Sequence, residues 1–202
     1  MSKNIIIGIV IGVMALGGAR FFWAPLEQTT HYHANWAVYI DDVRLDLSSD
    51  KYMEDVSSNC YGSDGLVSPE SRVHMHLGEQ DVVHIHHAGA TWGHLLMNLG
   101  FGVGEGFMVR PDGTILSDNK DKRFTYVLNG QILTSIHNQL ISSADRLLIS
   151  YGAGSIDSVL ENQFTEVMSD AIEYNDKADP ATCSGGHQPL SLSERLKMAF
   201  WS

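Results

Sequence analysis

Apolar and polar residues alternate in the central part of the chain, and this period of two predicts β-strands. Every second side chain is apolar in residues 32–40, and the alternation resumes in residues 43–47. Asp41 and Asp42 stand between the two runs, where they favour a turn. The pattern therefore predicts a β-hairpin whose first strand carries His33 on its polar face.

A second alternating stretch carries histidine on its polar side, at His74, His76, His84 and His86. A hairpin whose loop is residues 79–81 pairs His76 with His84 and His74 with His86, and cross-strand partners share a face. A register displaced by one residue would set each histidine against an apolar side chain. The hydrophobic pattern therefore favours the register that places all four imidazoles on one face.

One helix and several further strands are predicted in the rest of the central part. Thr91 can cap a helix that Gly100 ends, and Pro-Asp-Gly at residues 111–113 favours the turn of another hairpin. Residues 123–131 and 143–154 are predicted as the closing strands. The expected product is a small α+β domain with a mixed sheet.

Three motifs occur in order along this domain: His-x-His-Ala at residues 31–34, the His-x-His pairs, and Asp-Arg-Leu-Leu-Ile-Ser-Tyr-Gly at residues 145–152. In these motifs residues 31–152 resemble a family of uncharacterised bacterial membrane-anchored proteins, which implies an architecture and no activity. The order of hairpin, Thr-Trp-Gly-initiated helix, strand ending in Asn129–Gly130 and final strand also resembles the ubiquitin-like β-grasp plan. The resemblance implies a β-grasp-like mixed sheet with one packed helix. No diglycine terminus follows the final strand, so carrier chemistry is not implied.

The N-terminal segment is apolar without a break from Ile5 to Ala19, between Lys3 and Arg20. If Arg20 snorkels, the segment extends to Leu26, close to the roughly 20 residues that a membrane span requires. We expect a single-pass anchor over residues 1–26, with a cytoplasmic N-terminus and a periplasmic (extracytoplasmic) domain. A signal peptide cleaved after small residues such as Ala19 is the alternative.

The C-terminal part is predicted to be a helical extension. Apolar residues recur at helical spacing in residues 156–172, which predicts one amphipathic helix of about twenty residues. Residues 191–202 begin with a capping box, Ser191 and Glu194, and end in aromatic residues. This terminal amphipathic helix would dock on a membrane or a neighbouring subunit, or else pack on its own domain.

The expected domains are an anchor at 1–26, a β-grasp-like domain at 27–153 and a helical extension at 154–202. The two cysteines, Cys60 and Cys183, could form a disulfide in an oxidising compartment and tie the extension to the domain. Because the chain has no CxxC motif, thiol-redox and zinc-knuckle interpretations have little support.

Three His-x-His pairs are too many for chance composition, and they supply the candidate metal ligands His31, His33, His74, His76, His84 and His86. An all-imidazole shell suits zinc or copper. His87 and His94 could extend the shell or orient it. The alternative is a hydrogen-bonded polar patch without metal.

A net charge of −11 argues against nucleic-acid binding, since such proteins need a basic surface to displace counterions. No catalytic residue is assigned, because the chain lacks a nucleophile-elbow, paired-carboxylate or phosphate-loop motif. A metal-dependent hydrolase or hydratase, with Glu79 and Asp81 as proton acceptors, is a distant alternative.

The preferred functional interpretation is an accessory subunit that stabilises or assembles a larger membrane complex, respiratory or photosynthetic. Gly8 and Gly12 form a GxxxG motif that lets another transmembrane helix approach closely. Other transmembrane subunits would then be the partners, held through the anchor and the terminal helix. A periplasmic zinc- or copper-binding protein that acts alone is the alternative.

Overall fold

A computed structural model of the chain describes residues 2–23, 30–54, 72–175, 177 and 196. It is a mixed α+β structure that divides into two units, one containing the N-terminal helix and one spanning Thr30–Gly185. Both cysteines of the predicted Cys60–Cys183 disulfide lie outside the described residues. So does the predicted terminal helix over 191–202, apart from residue 196.

The N-terminal helix α1 spans Lys3–Trp23. Its 20-residue segment Lys3–Phe22 has a hydropathy of 2.2, so it is long and apolar enough to cross a membrane, as a signal sequence also can be. Within the described part of the chain, a Cβ added at Gly8 or Gly12 would meet nothing within 4 Å.

Two sheets organise the second unit. Their strands, in chain order, are β1 (Tyr32–Ile40), β2 (Val43–Arg44), β3 (Val73–His74), β4 (Val82–Ile85), β5 (Gly102–Gly104), β6 (Phe107–Val109), β7 (Ile115–Ser117), β8 (Arg123–Leu128), β9 (Gln131–Leu133) and β10 (Arg146–Gly152). The larger sheet has seven strands in the order β3-β4-β1-β10-β8-β9, with β2 also paired to β1. Its central pair, β1 and β10, is parallel, with Trp36 opposite Leu147, and its other pairs are antiparallel. The larger sheet is therefore mixed.

The first predicted hairpin is confirmed. Ile40 pairs with Val43 across a turn in which Asp41 and Asp42 have φ of 51° and 64°. Two successive left-handed residues give a turn whose twist matches that of the flanking strands, and aspartate tolerates this conformation better than most residues.

The predicted register of the second hairpin is wrong by two residues. His74, not His76, stands opposite His84, and residues 80 and 81 of the connection between the strands are held by contacts outside the hairpin. The Gln80 side chain accepts a hydrogen bond from Leu47 N at 2.7 Å, and the Asp81 carbonyl accepts one from Trp36 N at 3.2 Å. The turn lies earlier, at Leu77–Gly78, where both φ are positive. A shift of two residues keeps every histidine on its predicted face.

The predicted helix is confirmed as Trp92–Asn98, and it covers one face of the larger sheet. Thr91 caps it in a reciprocal pair with His94, and Gly100 follows its end with φ of 80°. The smaller sheet, in the order β5-β6-β7, follows this helix in the chain. The core between helix and larger sheet includes Trp36, Trp92, Leu95, Leu96, Leu147 and Ile149, all 0% exposed.

The predicted twenty-residue helix over 156–172 is wrong, since three short helices occupy this segment: Ile156–Asn162, the 3₁₀ turn Phe164–Glu166 and Ala171–Tyr174. Side chains of the sheet form hydrogen bonds with backbone groups that a continuous helix would pair with one another. The Arg146 guanidinium donates to the carbonyls of Phe164, Val167 and Met168. Asn35 Oδ1 accepts from Ala171 N at 2.8 Å, so the bond from Ala171 N to Val167 O cannot form.

The second face of the sheet is covered by this broken segment. Val159 and Val167 pack with Ala37, Val127 and Leu148 in a buried cluster. The apolar side of the segment therefore packs largely against its own domain. Ile156, Met168 and Ile172 are exceptions, because each is more than 40% exposed.

Arg146→Lys should loosen the segment, because a lysine cannot donate to three carbonyls in a fixed fork. We expect a loss of about 2 kcal/mol in the free energy of unfolding, the size of one or two hydrogen bonds to a charged group. Amide hydrogen exchange should speed up in residues 164–171. Arg123→Lys, on an exposed position of neighbouring β8, is the control. Unchanged exchange in Arg146→Lys would contradict the assignment.

Candidate metal centre

The strand order brings the predicted histidines together. β1, β4 and β3 are neighbours, and their registers place His33 opposite His84 and His84 opposite His74. Side chains two residues apart on a strand share a face, so His31, His86 and His76 lie on the same side as these three. All six predicted ligands form one group, which we name the histidine cluster.

The histidine cluster has two rows of three rings. In one row, His31 and His86 have ring centroids 5.0 Å apart, and His86 and His74 are 4.9 Å apart. In the other row, His33 and His84 are 4.3 Å apart, and His84 and His76 are 3.7 Å apart. The ring pairs predicted from the hairpin, His74 with His86 and His76 with His84, therefore do meet. The side chains lean diagonally across the displaced register.

Burial differs across the cluster. His33, His74, His76 and His84 are only 1–3% exposed, whereas His31 and His86 are half-buried. The stacked pair His31 and His86 thus forms the side of the cluster nearest to solvent.

Asn175 sets the proton position of His33. Its Oδ1 accepts from the His33 backbone N–H at 2.9 Å, and a backbone amide can only donate, so the amide orientation is defined. The same Oδ1 lies 2.8 Å from His33 Nδ1, which must therefore carry its hydrogen. In the neutral ring, the lone pair then belongs to Nε2, which faces His84. Metal-ligating histidines are commonly oriented in this way.

His74 is held by a carboxylate. Its Nδ1 forms a close contact with Glu54 Oε2, and both side chains are less than 10% exposed. The backbone N of Glu54 donates a hydrogen bond to the carbonyl of Met75, the residue after His74, at 2.8 Å. The contact fixes hydrogen on Nδ1 of the neutral ring and places the lone pair on Nε2, the arrangement of a carboxylate–histidine–metal site.

Three of the six rings already approach a common centre. His31, His33 and His84 each offer a ligand atom within 4.8 Å of the others, and His33 Nε2 lies 2.9 Å from His84 Nδ1. Tetrahedral zinc at about 2.0–2.1 Å from each nitrogen separates the nitrogens by about 3.3 Å. The set therefore needs only small ring movements to hold an ion, and a hydrogen bond now joins two of its members.

Acidic side chains lie near Tyr174, whose ring is next to that of His33. Tyr174, whose ring centroid is 5.8 Å from that of His33, has a pKa raised first by burial and then by Glu79, Asp170, Glu173 and Asp81. Burial also raises the pKa of Asp81, and Asp170 adds to this, while Arg44 opposes both. The acidic side chains beside Tyr174 favour a cation nearby.

Some predicted participants have other partners. His94 Nδ1 accepts from Thr91 N at the start of a helix, and the exposed His87 bonds Ala88 O. Asp81 forms an ion pair with Arg44. Sequence reasoning missed Glu54 and Asn175, since each lies far along the chain from its histidine and nothing in the local pattern marks either residue.

No protein-family model matches the chain, and searches of curated proteins and of solved structures found no significant match. The functional assignment of this chain therefore depends on the geometry of the histidine cluster.

The proton position of His33 can be tested directly. With ¹⁵N-labelled histidine in the metal-free protein at mildly alkaline pH, long-range ¹H–¹⁵N correlations should show Nδ1 of His33 protonated. Asn175→Ala removes the acceptor and should redistribute the hydrogen between the two nitrogens. Asn162→Ala, an exposed asparagine of helix Ile156–Asn162, is the control. Protonation at Nε2 in the unmodified protein would overturn the assignment.

Proposed function

We propose that the chain is a membrane-anchored protein whose histidine cluster binds zinc or copper. The observation that carries this proposal is the convergence of ligand atoms from His31, His33 and His84. The bond between His33 and Asn175 and the contact between His74 and Glu54 support it, because each prepares a nitrogen lone pair for a cation.

The donor set narrows the choice of ion. Neutral imidazole nitrogens suit zinc, copper and nickel, whereas calcium and magnesium prefer oxygen. Among first-row divalent ions, intrinsic affinity for such a site is greatest for copper. Tetrahedral zinc and copper are therefore the two ions that the proposal names.

We also propose a β-grasp-like fold for the second unit. The central parallel pair β1–β10 supports it, with the β1–β2 hairpin on one side and the antiparallel pairs β10–β8 and β8–β9 on the other. Among the described residues, one helix, Trp92–Asn98, packs across one face. Membership of the bacterial membrane-anchored family is likewise a proposal, and it rests on the sequence motifs named above.

The proposed location is a membrane, with the domain outside the cytoplasm. The length and apolarity of α1 support the anchor, and the histidine cluster supports the compartment, since a metal-binding domain there meets metal that enters from outside. The orientation with a cytoplasmic N-terminus is part of the proposal.

The assembly of a larger membrane complex remains the second candidate. The Gly8 and Gly12 surface supports it, because added Cβ atoms there would meet nothing within 4 Å in the described part of the chain. The segment 156–172 adds little, because Val159 and Val167 pack on their own sheet. For the hydrolase alternative, the carboxylate of Asp81 is already engaged in an ion pair with Arg44.

Full-length protein in mild detergent should bind at least one Zn²⁺ per chain by elemental mass spectrometry. At a free Zn²⁺ concentration one hundred times the Kd, the free energy of unfolding should rise by about 2.7 kcal/mol. His33→Ala should reduce both the bound Zn²⁺ and the stabilisation, because it removes a ligand whose lone pair is already oriented. His31→Ala, at a half-buried position, tests the same site with less disturbance of the core.

His87→Ala is the matched control, since His87 is exposed and bonded to its neighbour Ala88. It should bind Zn²⁺ as the unmodified protein does. Equal stabilisation by Zn²⁺ in the unmodified protein and in both cluster variants would place the ion elsewhere and contradict the proposal.

Membrane anchoring should leave the chain in the pellet after alkaline carbonate extraction, with residues 1–26 present in its intact mass. Val13→Arg puts a charge near the middle of α1 and should reduce retention, since arginine there costs about 2.5–3.5 kcal/mol in insertion experiments. Val13→Leu is the control. A soluble mature chain that lacks residues 1–19 would instead support a cleaved signal peptide.

A further inference from the structure

We infer that the histidine cluster holds two metal ions, the second on His74, His76 and His86 beside Glu54. This inference rests on the proposed metal-binding function and extends it. The first ion would lie on His31, His33 and His84.

The number of imidazoles is the first argument. A tetrahedral site takes at most four protein ligands, and the His31, His33 and His84 set supplies three. Three further imidazoles remain on the same face, and two of them, His74 and His76, are only 3% and 1% exposed. One ion cannot use all six rings. The remaining three are enough for a second ion of the same kind.

The ring spacing of the second set is wider than that of the first. His74 lies 4.9 Å from His86 and 5.6 Å from His76 between centroids, compared with 4.8 Å for His31–His33 and 4.3 Å for His33–His84. In the described residues only the first set has all its ligand atoms within 4.8 Å. The second set must therefore turn its rings to converge, and the torsion between Cβ and an imidazole ring is broad and soft.

Charge is the third argument, and it distinguishes the two sets. A second dication close to the first requires a negative group, because the repulsion between the two ions is strong in a poorly solvated site. Glu54 supplies this charge in direct contact with His74, and its side chain is 9% exposed. The carboxylate can ligate the ion or can orient His74.

His84 determines how close the two ions are. Its ring is 4.3 Å from that of His33 in the first set and 3.7 Å from that of His76 in the second. The two sets therefore meet at one side chain, and the two ions would interact magnetically if both were Cu²⁺.

The test uses full-length protein in detergent, stripped with a chelator and titrated with Zn²⁺ alone. The unmodified protein and His87→Ala should bind two ions per chain after desalting. Glu54→Gln keeps an acceptor for His74 but removes the charge, so it should bind one ion tightly and the second about ten- to hundred-fold more weakly. His86→Ala, at the half-buried side, should also leave one ion and serves if Glu54→Gln does not fold.

Loading with Cu²⁺ gives an independent measurement. Two Cu²⁺ ions on these neighbouring ligand sets should produce a half-field signal in electron paramagnetic resonance, and this signal should be lost in Glu54→Gln. One Zn²⁺ per chain in the unmodified protein and in Glu54→Gln alike would overturn the second site and leave the proposed function standing. No bound ion in any variant would overturn both.

Discussion

The burial of strand β1 on both faces is the constraint on which the rest of the second unit depends. One face carries Ala34, Trp36 and Val38 into the core beneath the helix. The other face begins with His33 and Asn35, each 1% exposed. Polar groups that are this deeply buried must be hydrogen-bonded, or the fold loses several kcal/mol. The C-terminal segment and the histidine cluster supply these partners.

One short segment therefore both closes the fold and prepares the site. Asn35 binds Asp170 and Ala171, which holds the helix Ala171–Tyr174 across β1. The same placement brings Asn175 to His33. An uninterrupted helix over 156–172 would form more of its own backbone hydrogen bonds. It would, however, leave Asn35 without its donor and Arg146 without its acceptors. Satisfaction of buried polar groups on the sheet overrides local helical propensity here.

This competition explains how much could be predicted from the sequence. Alternation placed the β1–β2 hairpin and the face of each histidine correctly, and Thr91 and Gly100 placed the helix, because these signals depend on neighbours in the chain. The hairpin register and the broken helix depend on distant side chains, Gln80 on Leu47 and Arg146 on Val167. Glu54 and Asn175 were missed for the same reason, since long-range contacts that orient a ring leave no periodic signal.

The hydrogen bond between His33 and His84 favours a metal site over a polar patch without metal as the interpretation of the histidine cluster. Asn175 holds hydrogen on Nδ1 of His33, so the 2.9 Å contact from its Nε2 to His84 Nδ1 needs one proton between the two nitrogens. A metal ion can take that place when the hydrogen of His84 moves from Nδ1 to Nε2, so that both rings stay neutral and each offers a lone pair. In a polar patch, each further proton would add positive charge to adjacent rings and would be repelled. A metal ion instead places its charge at one point, where several nitrogen lone pairs can bind it.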